Sequence, residues 1–415
     1  MIIRIYDRVG TVHVQRRVMR VIRVYDRNIP EGISESEFTQ KGGILAGSGA
    51  GAFGELPPGS AGQYLTPDPT APMGLKYETP SIAISDPTNF LINGGFHFAQ
   101  RTTPGTLTTV SDNAYGADRW KQSRENADLQ YQRNDATSES GLTSLYYGKY
   151  KKITNAGKFM VFQILEGVNS IPLRGKTVIF QAKLKASGSK TIRMAILELQ
   201  TGGTIDTIPS PVSSWNVDST DPTLGSNLAV ITGAESKAVT TSWQVFSVSV
   251  TVPATSKNVI VALWADADFS VADELNIAEA GLFLGASLIS WAPRLLQVEL
   301  GLCQRFYWKS FDLDTLPAQN SSFTGALRFI AGKAGATAQY GTFILPVRQR
   351  TSTPTITGYN PAAANAQVRD GIAVADCSAT SVSVENQTLF LNCTGNASTA
   401  VGNRLHVHVT SDAEL

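Results

Sequence analysis

Charge is scarce in this 415-residue chain: 17% of residues are Asp, Glu, Lys or Arg, and 35 basic against 34 acidic groups leave a net +1. No global field therefore draws it to nucleic acid or to a membrane surface, and partners must be recognised locally. A run of about 18 apolar residues is also missing, which excludes an apolar membrane-spanning helix. Residues 1–8 interleave charge with apolar side chains and form no signal-peptide block. Cysteine is limited to Cys303, Cys377 and Cys393, an odd number with no CxxC spacing, which excludes a disulfide framework. Cys377 and Cys393 could meet across neighbouring strands, although buried free thiols are the expectation. Four histidines, His13, His97, His406 and His408, offer few bases for nucleophilic catalysis, and no Gly-x-Ser-x-Gly elbow accompanies them.

What the chain has is alternation. Residues 177–186, 191–199, 243–253 and 259–264 alternate β-branched or aromatic residues with polar ones. In a strand this puts Phe180, Ala182 and Leu184 on one side and Gln181, Lys183 and Lys185 on the other. Turns rich in Gly, Ser and Asn separate these runs, predicting a mostly β protein whose centre, residues 81–292, is a β-sandwich. One helix is expected over residues 293–310. Leu295, Val298, Leu302 and Phe306 recur there at helical spacing, and Pro293 suits a first turn. Residues 311–415 return to short strands, at 343–345, 355–357, 381–384, 389–391 and 405–409, and form a smaller C-terminal β-domain.

The two ends of the first 80 residues differ. Residues 3–8 (IRIYDR) and 22–27 (IRVYDR) duplicate one motif, separated by Arg16 and Arg17. This reads either as a small β-element with a basic face that docks on an acidic socket, or as a solvated strand pair. Residues 41–80 are rich in Gly and Pro without a three-residue period, which excludes a collagen triple helix. Such a stretch is either a flexible linker or a stalk ordered by several copies wrapping Ile44, Leu45, Phe53, Leu56 and Leu65 about one axis.

Four pieces, in this order, resemble bacteriophage tail-fibre and receptor-binding proteins. They are the glycine-rich stalk ending at residues 58–66 (PGSAGQYLT), and residues 89–96 (NFLINGGF) followed by 116–120 (GADRW). The helix at 298–307, and the closing 346–357 with 412–415, complete the set. Residues 175–285 also look like the jelly-roll carbohydrate-binding modules attached to glycoside hydrolases. The resemblance implies a homotrimeric fibre on the virion, assembled in the bacterial cytoplasm. It also implies an N-terminal segment, residues 1–40, seated on a baseplate, tail or neck protein, and a terminal domain that meets a host glycan or protein. The arginines Arg4, Arg8, Arg16, Arg17, Arg23 and Arg27 would then be the virion-anchoring residues. A purely structural head, neck or collar fibre is the alternative.

Sugar binding stacks the apolar face of a pyranose on an aromatic ring while planar amides and carboxylates meet its hydroxyls. Trp120, Trp243 and Trp264 sit in patterned strands and are expected in the core. Trp215, in a Pro/Ser-rich loop, and Tyr340 and Tyr359, in loop-like positions, are the candidate carbohydrate-binding residues. Asp266, Asp268, Asp273, Glu274 and Glu279 cluster, and paired carboxylates could cut a glycosidic bond, as in a polysaccharide depolymerase. Beside a strand such a cluster reads first as solvated surface or a cation site, so no enzymatic activity is expected. A structural Ca2+ or other cation is a candidate within residues 81–292. His406 and His408, two apart on a strand, are a candidate metal pair on a trimer axis, or simply solvent-facing residues.

Overall fold

β-branched and aromatic residues in short alternating runs favour pleated structure, and strands dominate the fold. The computed structural model describes residues 38–49, 51–78, 88–126, 129–385 and 387–415, together with the backbone of 3–7 and 10–14. The chain divides into two units, residues 1–85 and 86–415.

The first unit is built from antiparallel hairpins. β1 (Ile3–Asp7) pairs β2 (Gly10–Val14), β3 (Ile44–Gly49) pairs β4 (Ala52–Leu56), and β5 (Tyr64–Pro67) pairs β6 (Leu75–Glu78). The Gly/Pro-rich stretch thus folds on itself locally. Glu55 ties its start down, accepting from Thr39 N at 2.7 Å, Thr39 Oγ1 at 2.6 Å and Gln40 N at 3.2 Å. Ala46 is the one buried apolar residue among those described here, whereas Ile44, Phe53, Tyr64 and Leu65 are exposed.

In the second unit the chain runs through β7 (Thr108–Thr109), β8 (Ala114–Tyr115), β9 (Lys121–Arg124), β10 (Leu129–Asp135), β11 (Tyr146–Lys152) and β12 (Phe159–Ile164). After the single turn α1 (Gly167–Ser170) come β13 (Thr177–Ala186), β14 (Lys190–Leu199), β15 (Val212–Ser214), β16 (Thr223–Leu224), β17 (Leu228–Val230), β18 (Glu235–Val239), β19 (Gln244–Thr251), β20 (Asn258–Ala265) and β21 (Glu274–Leu284). Two antiparallel sheets face each other, in the orders β19-β13-β21-β11-β10-β7 and β17-β14-β20-β12-β9-β8, with β18 also on β14. This is a β-sandwich of jelly-roll type. Phe180, Ala182 and Leu184 point into the shared core with Trp120, Tyr150, Phe159 and Val261, as their alternation predicts. Each large apolar side chain so buried contributes about 1.5–3 kcal/mol.

The opening motif is held by its own polar groups. Asn93, in the left-handed region at φ 58°, donates from Nδ2 to the Phe98 and Asp118 carbonyls and accepts from Phe98 N. Trp120 Nε1 donates to Asn93 O at 3.1 Å, and the Trp120 ring stacks on Phe96 at 5.3 Å.

The expected helix is shorter and turned differently. α2 spans Leu296–Gln304, so Pro293 lies before it and Leu295 stands at the N-cap. Leu295 and Val298 are exposed, while the helix buries Glu299 and Cys303. Glu299 faces inward, where its carboxylate takes the Asn93 N–H and pairs with Arg294 at 3.1 Å. A carboxylate in the first turn also suits the helix dipole. Phe306 is buried beyond the helix, and Tyr307–Lys309 leaves it to become β22.

The remaining strands are β23 (Leu327–Ile330), β24 (Ala338–Ile344), β25 (Thr355–Tyr359), β26 (Gln367–Asp370), β27 (Ala375–Ala379), β28 (Ser381–Glu385), β29 (Thr388–Thr394) and β30 (Arg404–Asp412). β30 is the spine: its first half pairs β23 and β26, its second half β22 and β25. A three-stranded sheet, β24-β29-β28, packs against it over Phe329, Leu389, Leu391, Leu405 and Val407. This small β-region is not separate from the sandwich. Arg101 ion-pairs with Asp412 at 3.1 Å and Glu414 at 3.4 Å, and Lys309 Nζ donates to the Gln100 carbonyl at 2.9 Å.

Candidate functional site

Among the three aromatic candidates, the structure separates Tyr340 from the other two. Trp215 is half-buried. The outward faces of β12, β14 and β20 are apolar, with Met160, Phe162, Leu197, Ile260 and Trp264, and the chain between β14 and β17 folds back to cover them. Trp215, Ile208 and Leu224 pack in that cover. Tyr359 is half-buried too, edge-on to Phe311 at 5.4 Å. Tyr340 is 67% exposed.

It stands on β24, not in a loop, and the register shows what shares its face. Across β24, β29 and β28 the outward rows are Tyr340–Asn392–Ser381, Thr342–Phe390–Ser383 and Ile344–Thr388–Glu385. Their inward neighbours Gln339, Leu389, Leu391 and Val384 are buried, so the strand period leaves the other face open to solvent. Strands lie about 4.8 Å apart and same-face residues about 6.7 Å apart, so these rows make an open platform of sugar-ring dimensions. Tyr340, Phe390 and Ile344 supply apolar surface, with Ile344 at 79% exposure. Thr342, Ser381, Ser383 and Asn392 supply hydroxyls and an amide around it. Stacking with hydrogen bonding at the rim is the chemistry this surface offers. Phe390 and Ile344 were not singled out from sequence, although alternation in residues 388–394 already set Phe390 opposite the buried Leu389 and Leu391.

A second aromatic group lies on the outer face of the β13-containing sheet. Trp243, expected in the core, is half-buried there, edge-on to Tyr147 at 5.3 Å and donating to Glu139 at 2.9 Å. Glu139 also binds Lys185 at 2.7 Å, so its polar atoms are engaged within the chain. Trp120 and Trp264 are buried as expected.

The acidic cluster does not converge. Asp266 pairs with Arg193 at 2.6 Å, Asp273 with Lys190, Glu274 with Lys149 at 3.3 Å and Lys151 at 3.1 Å, and Glu279 with Lys183 at 2.7 Å. Four of the five carboxylates are thus each spent on a neighbouring cation, and Asp268 is exposed on the connection between β20 and β21. No group of three or more His, Cys, Asp or Glu side chains is gathered in metal-binding fashion among the described residues.

His408 is fully buried, stacked on Phe311 at 3.9 Å. Its Nε2 donates to the Ser322 carbonyl at 3.0 Å, which leaves Nδ1 to accept from Ser310 Oγ at 3.0 Å. Both ring nitrogens are occupied within the chain, so His408 has none free for a metal. His406 is half-buried, edge-on to Phe323 at 4.9 Å. Burial lowers the pKa of both, and for His406 the charges of Arg328 and Arg404 lower it further. Of the six candidate anchoring arginines, Arg4 lies on β1 opposite His13. Arg8, Arg16, Arg17, Arg23 and Arg27 lie outside the described residues.

No known protein family matches the sequence, and no curated protein matches it. Among solved structures, the enzymatically active domain of bacteriophage CBA120 tailspike protein 4 is similar with a TM-score of 0.30 at 11% identity. The likeness covers 48% of this chain and 21% of that one, so the chain spans about a fifth of the tailspike domain's length. TmCBM61, solved with β-1,4-galactotriose, is similar with a TM-score of 0.29 at 12% identity, over 48% of this chain and 99% of that one. The C-terminal family 22 carbohydrate-binding module of Clostridium thermocellum Xyn10B gives 0.27 at 12% identity, over 41% and 89%.

Proposed function

We propose that this chain is one subunit of a homotrimeric bacteriophage fibre, seated on the virion through residues 1–40, that binds a host-surface glycan without covalent chemistry. The glycan reading is carried by one observation: Tyr340, 67% exposed, shares an open sheet face with Phe390 and Ile344, rimmed by hydroxyls and an amide. The trimer reading draws support from the first unit, where the described side chains expose Ile44, Phe53, Tyr64 and Leu65 and bury only Ala46 among the apolar ones. Isolated two-stranded hairpins are marginal in water, and identical copies packed on those side chains would stabilise them. Three coupled sites per fibre would also let weak single-site binding hold a particle on a cell. The N-terminal partner on this reading is a baseplate, tail or neck protein.

A second reading, a purely structural head, neck or collar fibre, is favoured by Ile344, whose 79% exposure would equally suit burial against a neighbouring copy. Glycan-array binding by the full chain and by Tyr340→Ala, Tyr340→Phe and Phe390→Ala decides between them. Loss of about tenfold or more in Tyr340→Ala and Phe390→Ala, with Tyr340→Phe close to wild type, is the expected result, tenfold being about 1.4 kcal/mol. Undiminished glycan binding in both alanine variants, or no glycan bound by the wild type, overturns the platform.

A further inference from the structure

The opposite side of the C-terminal β-region carries a different chemistry. On β30 the outward residues Arg404 and His406 follow each other at strand spacing. Arg328 on β23 lies directly across from His406 on one side, and Arg369 on β26 directly across on the other. Three guanidinium groups therefore surround one imidazole on a chain whose net charge is +1. Like charges directly opposite in a sheet are destabilising. Arg369 is offset by Asp376 at 2.9 Å. Arg328 and Arg404, both exposed, have no carboxylate partner among the described residues.

The surface over this row is also shaped. The segment between β22 and β23 folds over His408 and carries Phe323, whose exposed ring stands at a near-right angle to that of His406. On the other flank is Gly371, where a Cβ would come 3.0 Å from the imidazole Cε1. The result is a shallow recess floored by His406, walled by Phe323 and flanked by two unneutralised guanidiniums. We infer that this recess binds an oxyanion, a carboxylate or phosphate ester carried on an acidic saccharide. Arg presents paired N–H donors that match either group, and an exposed aromatic ring such as Phe323 suits the apolar carbons of the adjoining sugar. The proposal does not depend on the Tyr340 platform: Leu405 and Val407 of β30 and Leu389 and Leu391 of β29 lie in one core between the two faces.

The test is direct binding of the full chain to a galacturonate oligosaccharide, to a glycerol-phosphate oligomer and to a neutral galactan oligosaccharide, with inorganic phosphate as competitor. The wild type should bind at least one acidic probe, more weakly as salt rises, and the neutral probe no better in this recess than its variants do. Arg328→Ser, Arg404→Ser and the double variant replace exposed side chains and should each fold. Loss of about tenfold or more for the acidic probes in the double variant, with Tyr340→Ala unaffected, is the expected outcome. Preference between uronate and phosphate probes names the source of the anion. Equal binding of acidic probes by wild type and double variant, or binding of neither acidic probe, overturns the inference while leaving the platform reading untouched.

Discussion

Arg119, 2% exposed, ion-pairs with Glu414 across the junction between the sandwich and the C-terminal β-region. Its guanidinium lies 3.6 Å from the centre of the Phe306 ring, and its Nη2 donates to the Ile164 carbonyl at 2.7 Å. Beside it, Lys121 and Tyr115 both donate to the Leu415 carbonyl, at 2.9 Å and 3.1 Å. Removing one partner leaves a buried charge uncompensated. Glu414→Ala should therefore lower stability by about 3–5 kcal/mol, read as an earlier chemical-denaturation midpoint. An unchanged midpoint would show that the junction is held without this pair.

Glycines divide sharply by their surroundings. A Cβ on Gly94 would run into the Ala280 carbonyl, a backbone atom, at the point where Ala280 N donates to Gly94 O at 2.9 Å. Gly94→Ala should destabilise by more than about 3 kcal/mol. At Gly188, in the β13–β14 turn, nothing lies within 4 Å of such a Cβ, so Gly188→Ala should change stability by less than about 1 kcal/mol. Thermal unfolding of the two variants side by side checks both.

Protonating the histidines should weaken the fold. Burial is the leading cause that lowers the pKa of His97, His406 and His408. The unfolded chain, with ordinary values near ~6.5, then takes up protons before the folded one does. Stability is fully present above about pH 6.5 and declines as pH falls through the lower folded values. Denaturation midpoints measured from about pH 8 to about pH 5 should show that decline, and His408→Gln should shallow it. A flat profile would contradict the buried, hydrogen-bonded neutral state of His408.

Glu279 sits at left-handed φ 50° where the pairing of β13 with β21 shifts register. Its Oε1 accepts from Thr143 N, Thr143 Oγ1 and Ser144 N, and its Oε2 meets Lys183 at 2.7 Å. Glu279→Gln should loosen residues 139–145, seen as faster amide exchange there, and cost about 1–3 kcal/mol. Exchange unchanged in that loop would mean the bulge is held by backbone alone.

If identical copies pack on the hairpins, charge placed there must separate them. Phe53→Glu with Leu65→Glu should convert a trimer into a 44.4 kDa monomer by light scattering, without unfolding residues 86–415. A wild type already at monomer mass sinks the fibre reading.

Strand positions were legible because period-two alternation is a local property: Phe180 and Lys183 reveal their faces from their own neighbours. The helix was legible in place but not in orientation, since the inward turn of Glu299 depends on Asn93 and Arg294, the former some two hundred residues distant. Trp215 misled for the same reason. A loop rich in Pro and Ser looks solvent-facing until an apolar outer sheet face, Met160, Phe162 and Trp264, requires covering.

By itself the sequence determined which residues alternate, where turns fall, and that no net charge or apolar helix defines the partner. Which alternating face stays open was decided only in the tertiary structure. A strand with apolar side chains on both faces, such as β24 with Tyr340 and Phe343, leaves open which face is covered, and only packing against another sheet removes one of them from water. Tyr340, Phe390 and Ile344 come together, and Arg328 reaches His406, because strands far apart in the chain pair in register, a long-range choice that no local pattern encodes.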